Sequence, residues 1–251
     1  MSELSVEPGF DALLAELGLT TPVSLFVDAR FRVWRDIRER QNAVLDAPTH
    51  SGPVRLHLKR DKHRLAHPCR DEVRGLALLG AASIPCPRLV ACATLDDGRS
   101  AVITLDLAGM KPADASGLTF DQIAEPTAGL VARLHSAGLH HRDLYLNHLF
   151  VDPQHPERVA LLDAARVRQL PRWFRRRWIV KDLAQFAYST RLMDVSSDAF
   201  ERWLARYAEL ASVSDVERLA GEVERKKQWI ARHDERLRRV APERTAALEP
   251  R

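Results

Sequence analysis

The chain has 251 residues, long enough to bury a large core in one bilobal unit or two small domains. Hydrophobic residues make up 45% and charged residues 29%, which excludes a disordered chain, and no apolar run reaches the length of a bilayer crossing. The net charge of +4 favours an anionic partner: a nucleotide, an anionic lipid or a nucleic acid. The first residues, Met1 to Pro8, are acidic and lack a signal-peptide pattern. Cys69, Cys86 and Cys92 are odd in number and without metal-ligand spacing, so a reduced, cytoplasmic compartment is expected.

Residues 10–19 read as a short helix ended by Gly18, and residues 31–34 and 42–45 as short strands. Residues 54–60 alternate apolar and polar side chains, the period of a half-buried strand. Residues 69–82 have helical periodicity, with Val73, Leu76, Ala77 and Leu79 as the apolar stripe, and Ile84-Pro85-Cys86-Pro87 stops the helix. Residues 88–94 and 101–107 suit strands joined by a turn at Asp96-Asp97-Gly98, and residues 107–112 suit a linker between lobes. Thr119 and Gln122 have capping-box spacing and predict a helix to about His135, with Pro126 tolerated near its start and Gly138 as C-terminal cap. Further helices are expected over 178–190 and 197–210, and a long charged helix or helix pair over 213–240. The expected fold class is α+β: a kinase-like two-lobe plan with a small β-rich lobe, residues 1–107, and a larger helical lobe, residues 108–251.

Chemistry concentrates around His141-Arg142-Asp143, which an apolar run, Leu149 to Val151, follows closely. A second carboxylate, Asp163, stands twenty residues after Asp143 in an apolar setting. Phosphoryl transfer from ATP needs two such groups. One orients the acceptor hydroxyl and takes its proton; the other holds Mg²⁺ on the phosphates. Asp143 is assigned the first role and Asp163 the second. Lys59 on the predicted central strand and Glu72 early in the next helix form the pair that presents a cation to the α- and β-phosphates. For the second metal ligand, protein kinases place Asn five residues after the catalytic Asp, where this chain has His148, with Asn147 one residue earlier. Adjacent side chains of a strand-like segment face opposite ways, so one of the two reaches the site, and His148 is favoured. His135, His140, His141 and His148 crowd this region, but without HExxH form or an accompanying Cys.

Between Ala164 and Lys181 stand Arg166, Arg168, Arg172, Arg175, Arg176, Arg177 and Lys181, with no acid among them and with Trp173, Phe174 and Trp178 interleaved. This segment reads either as a solvated loop or as a surface for an anionic substrate or lipid headgroups, with Arg166, Arg168, Arg175, Arg176 and Arg177 as candidate substrate contacts. No nucleic-acid-binding motif accompanies it.

The stretches Leu139 to Phe150, Leu162 to Arg168 and Arg177 to Ala184 together resemble the lipopolysaccharide kinases of the Kdo/WaaP type, a likeness running from about Leu56 to about Arg236. The resemblance implies a protein-kinase-like fold, ATP with Mg²⁺ as donor, and a heptose or Kdo hydroxyl of the lipopolysaccharide inner core as acceptor, at the cytoplasmic face of the inner membrane. By position it makes Asp143 the catalytic Asp, His148 the replacement for Asn, Asp163 the metal Asp and Lys59 the nucleotide Lys. Asp182 becomes the helix Asp that holds the catalytic-loop backbone, with His141 and Arg142 as further structural support. Two features depart from the pattern. Ala164-Ala165 stand where the family often has His, and no glycine-rich loop precedes Lys59, only Gly52, so an ordinary β-hairpin is expected to cover the phosphates. Two other readings stay open: a kinase of the same fold for another acceptor (a small metabolite, an aminoglycoside, a protein side chain or a different glycan), and a nucleotide-binding pseudokinase.

Overall fold

A computed structural model describes residues 1–64 and 68–240. The chain forms two compact units. The first comprises Met1–Ala77, Cys86–Ala108 and Asp163–Ala165, and the second Leu78–Pro85, Gly109–Leu162 and the chain from Arg166 onward. The expected lobes were contiguous. The observed division falls one residue beyond the expected boundary, and it moves two short segments to the other unit. Residues 241–251 of the expected second lobe lie outside the described residues.

The first unit is built on a six-stranded antiparallel sheet. Its elements in chain order are β1 (Glu3–Val6), α1 (Asp11–Glu16), α2 (Ser24–Val27), β2 (Arg32–Asp36), β3 (Arg40–Thr49), β4 (Gly52–Asp61), α3 (Pro68–Ala81), β5 (Leu89–Thr94) and β6 (Ser100–Leu105). The strand order is β1-β5-β6-β4-β3-β2, which puts β4 in the interior of the sheet. Leu56 and Leu58 of β4 project into a core shared with Leu14, Leu19, Leu25 and Ile103. The intervening residues of β4 face the other way, and there Cys69 of α3 donates its thiol to Asp61.

Several elements differ from the sequence expectation. β1 pairs with β5 and α2 packs Leu25 into the core; neither was expected. β3 runs well beyond residues 42–45, because it stays paired with β4 to a two-residue turn at His50-Ser51. Gly52 meets that turn at φ 113°, a conformation open to glycine. The buried stripe of α3 is Glu72, Gly75, Leu76 and Leu79, while Ala77 faces solvent. The helix buries a carboxylate where hydrophobicity alone would place a methyl group.

The second unit contains β7 (Lys111–Pro112), α4 (Phe120–Ser136), β8 (Leu139–His140), β9 (Leu149–Val151), β10 (Val159–Leu161), β11 (Arg168–Gln169), α5 (Arg175–Ser189), α6 (Ser197–Leu210) and α7 (Val216–Val240). The capping box of α4 forms as expected: Gln122 N–H donates to Thr119 Oγ1, and Thr119 N–H donates to Gln122 Oε1 at 2.8 Å. Its buried residues Ile123, Thr127, Leu130, Val131 and Leu134 follow the helical period. Phe186 of α5 stacks on Trp203 of α6 at 4.1 Å between ring centroids, and Trp203 stacks in turn on Tyr207. The expected linker ends in β7, which pairs with β9. Helix α5 starts at Arg175 rather than at residue 178, so the three consecutive arginines form its first turn instead of a loop. Helix α7 is one continuous helix with Leu219, Val223 and Ile230 buried. Among the described residues no helix is long and apolar enough to cross a membrane.

Gly75 sits where α3 meets the Asp163–Ala165 segment. A Cβ added there would lie 1.9 Å from the Ala164 carbonyl oxygen. Gly75→Ala is therefore expected to cost about 1–3 kcal/mol through overpacking, which outweighs the gain of about 1 kcal/mol from alanine's better helix propensity. The melting temperature read by circular dichroism should fall by several degrees. An unchanged value would mean that this close approach does not constrain the fold.

Candidate active site

In the first unit, Lys59 projects from β4 on the face opposite the apolar core. Its Nζ lies 2.8 Å from Glu72 Oε2 and 2.9 Å from Asp163 Oδ1. Burial lowers the Lys59 pKa, but the Asp163 and Glu72 charges outweigh it and hold the ammonium above its ordinary value. The lysine is therefore charged at neutral pH. The second oxygen of Glu72, Oε1, accepts the Ala164 N–H at 3.2 Å, so one buried carboxylate joins β4, α3 and the segment that carries Asp163. Asp163 itself adopts φ 59°, a left-handed conformation that Asp tolerates better than most residues. Cys69 donates to the Lys59 carbonyl, and burial pushes its thiol well up, which makes it an unreactive packing residue.

In the second unit, Asp182 of α5 is fully buried. Its carboxylate accepts the backbone N–H of His141 at 2.6 Å and of Arg142 at 2.8 Å. Burial would raise its pKa, but hydrogen bonds from His135 and the His141 backbone hold it below the ordinary value. This anchor keeps Arg142 at φ 67° and presents the next residue, Asp143. Asp143 Oδ1 receives Arg166 Nη1 at 3.2 Å and Gln185 Nε2 at 3.4 Å. Gln185 accepts in turn from Lys181 Nζ at 3.1 Å, and Lys181 also donates to the Arg142 carbonyl. Burial, with the like charges of Arg166 and Arg142, pulls the Lys181 pKa down to about 8 against the attraction of Asp182 and Asp143.

The four histidines of this region each have a partner. His135 contacts Tyr207 and Asp182, His140 packs at a tilt against Trp178 with ring centroids 4.8 Å apart, and His141 donates from Nε2 to the Leu162 carbonyl. Burial, opposed by Asp182, pulls the His140 pKa down to about 4, so the ring is neutral. His148 donates from Nδ1 to the Asp143 carbonyl at 2.7 Å. That bond makes Nδ1 a donor and orients the ring, the way a metal-ligating histidine is held. Residues 146–148 form a 3-10 turn rather than a strand, so the expected alternation of Asn147 and His148 does not hold there. Asp163 in the first unit offers the kind of carboxylate that Mg²⁺ takes, because Mg²⁺ needs only one or two protein ligands and completes its shell with phosphates and water. Among the described residues no group of three or more His, Cys, Asp and Glu could hold a metal by itself.

The structure thus brings Lys59, Glu72 and Asp163 together in one unit, and Asp143, Arg166, His141, Arg142, His148 and Asp182 in the other. The remaining arginines have separate contacts. Arg168 donates to the Val167 carbonyl, Arg175 to the His135 carbonyl and Arg176 to Glu222 at 2.7 Å, while Arg177 lies over the Trp178 ring. Sequence reasoning missed Gln185 and the link from Lys181 to Arg142. Lys181 and Gln185 are four apart on α5, and that spacing was the available signal.

Two solved structures of the aminoglycoside phosphotransferase APH(3'')-Id from Streptomyces rimosus share this fold. One, in complex with ADP and streptomycin, is similar with a TM-score of 0.51 and 16% identity over 72% of this chain and 92% of the other. The second has a TM-score of 0.56 and 16% identity over 87% of this chain and 98% of the other. No curated protein matches the chain. Residues 29–207, most of the chain and all of the site residues just described, match the lipopolysaccharide kinase (Kdo/WaaP) family, and the protein is a kinase that belongs to that family.

Proposed function

We propose that the protein transfers the γ-phosphoryl group of ATP to a heptose or Kdo hydroxyl of the lipopolysaccharide inner core, at the cytoplasmic face of the inner membrane. One observation carries the choice of acceptor. The carboxylate of Asp143 sits among cations: Arg166 is bonded to it, and Lys181 and Arg142 stand beside it. An acceptor rich in carboxylates and phosphates is drawn to such a site, whereas a polycationic aminoglycoside is repelled. In this reading Asp143 orients the sugar hydroxyl and takes its proton, and Arg166 moves from Asp143 to an anionic group of the acceptor. Lys59, held by Glu72, binds the α- and β-phosphates. Asp163 would hold Mg²⁺, which when bound would neutralise charge on the transferring phosphoryl group.

Exposed aromatics support a peripheral contact with an anionic bilayer. Trp173 is 87% exposed and Phe174 60% exposed, with Arg172 beside them and Lys226 over the exposed Trp229 ring. Trp178, in contrast, is half-buried under Arg142. The outer arginines and aromatics would draw the protein to the membrane, and the inner cations would take the sugar anions.

The reaction is tested by incubating the purified protein with labelled ATP and either inner-core oligosaccharide or streptomycin. Phosphate should pass to the oligosaccharide alone; transfer to streptomycin alone would overturn the acceptor assignment. Asp143→Asn and Asp163→Asn should each lower turnover by about 10²–10³-fold or more, with melting temperature little changed for Asp143→Asn and lowered for Asp163→Asn, which takes a counter-charge from Lys59. Asparagine is the right replacement at Asp163 because it tolerates the left-handed backbone.

Lys181 predicts a pH dependence. Its charge is lost as pH rises through about 8, and with it the full cationic field at Asp143. Transfer should therefore fall on the alkaline side of about 8, and Lys181→Arg should move that fall above pH 10. Unfolding does not account for such a fall. A lysine depressed on folding binds fewer protons folded than unfolded between about 8 and 10.5, so its contribution to stability rises across that window. A profile identical in both proteins would remove Lys181 from the alkaline limb.

For the membrane contact, Trp173→Ala/Phe174→Ala should release the protein from vesicles containing phosphatidylglycerol in co-sedimentation. Retention equal to that of the parent protein would make these aromatics a solvated edge.

A further inference from the structure

We infer that Arg40 and Asn42 complete the nucleotide site, holding a nucleoside polyphosphate where the chain has no glycine-rich loop. The inference rests on the kinase reading above. In the β3–β4 ladder Asn42 lies opposite Lys59, and Arg40 lies opposite Asp61. Directly opposed residues of an antiparallel pair, and residues two apart on one strand, project to the same face. Arg40, Asn42, Lys59 and Asp61 therefore share one face, while Ala43, Leu45, Leu56 and Leu58 fill the apolar core on the other.

Two of the four polar residues on that face are satisfied. Asp61 accepts from Ser100 and Cys69, and Lys59 is paired with Glu72 and Asp163. The other two are not. Arg40 Nε and Asn42 Oδ1 are buried, and among the described residues neither has a hydrogen-bond partner. Asn42 is only 5% exposed, so water does not substitute readily. Buried polar atoms in folded proteins are almost always paired, and a ligand that arrives at such a face is one way to complete the set. Arg40 also opposes the charge on Lys59, the reverse of what the two carboxylates do. Two cations on one face are stabilised when an anion arrives.

The position suits the role. Arg40 is the first residue of β3, and its carbonyl accepts the Ile37 N–H across the β2–β3 turn. This hairpin lies before the lysine strand, where a glycine-rich loop would offer backbone N–H groups. A guanidinium supplies the same donors as a planar fork that matches two phosphate oxygens. The Asn42 amide oxygen accepts a hydroxyl of the nucleotide.

Calorimetric titration of the full chain with ATP, ADP and adenosine tests this. Arg40→Met should weaken ATP and ADP at least about tenfold, the worth of one charge-assisted hydrogen bond, and leave adenosine unchanged, while Arg40→Lys recovers part of the loss. Asn42→Leu should weaken all three ligands and leave the melting temperature unchanged or higher, since an apolar side chain removes an unmet buried acceptor. Parent-like ATP and ADP affinities in Arg40→Met overturn the inference, as does a proportional loss for adenosine. A melting temperature that falls with Asn42→Leu assigns Asn42 to the fold and removes it from the site. A parent protein that binds none of the three ligands overturns the kinase reading beneath.

Discussion

The first unit is organised around an ammonium group held between two carboxylates. A lysine head withdrawn from water is unfavourable by several kcal/mol unless opposite charges and hydrogen bonds replace its hydration. Glu72 and Asp163 do so for Lys59, and the attraction of both exceeds the desolvation. The consequences spread through the backbone. Glu72 must be buried, so α3 turns a charged residue inward. Its other oxygen takes the Ala164 N–H, so the Asp163–Ala165 segment is tied to the helix. Gly75 follows, because any side chain would collide with the Ala164 carbonyl.

The second unit solves the converse problem with a buried anion. Asp182 is fully enclosed, and backbone N–H groups of His141 and Arg142 and the His135 ring replace its water. A carboxylate accepting several N–H bonds remains ionised even when buried. The same bonds hold a left-handed residue, Arg142, in the loop that presents Asp143. Rigid support of this kind places a reacting group to within a fraction of an ångström, the precision that positioning catalysis requires.

Local rules break at a few places, and those places coincide with the site. Arg40 and Lys59 share a face although their charges oppose each other, and Lys181 is half-buried beside Arg142 and Arg166. Such conflicts lower stability in the empty protein and are relieved by anions. Natural sequences concentrate them where ligands bind. A kinase needs one such place for its anionic nucleotide.

Much of this was legible from local patterns. The capping box at Thr119 and Gln122, the alternation along β4 and the period of α4 act within a few residues and appear as read. Residue types at fixed spacing also pointed to Lys59 and Glu72 as a pair and to Asp163 as a separate metal ligand, and the family resemblance implied Asp182 beneath the loop at Asp143. The rest depended on partners far away in sequence. β1 is four residues long and exists because β5 is there to pair with it. The 3-10 turn at Leu146–His148 is held by contacts such as Leu146 N–H to Ser189 and His148 to the Asp143 carbonyl. Arg175 and Arg176, read as parts of one patch, take separate partners in His135 and Glu222. Gln185 gained its contact with Asp143 through helix packing. The sequence by itself determined the elements, the charge types and the spacing of the chemistry, because those follow from neighbours along the chain. Only the tertiary structure decided which charges meet and which polar atoms stay unpaired, because strand register and helix packing choose partners a hundred residues apart.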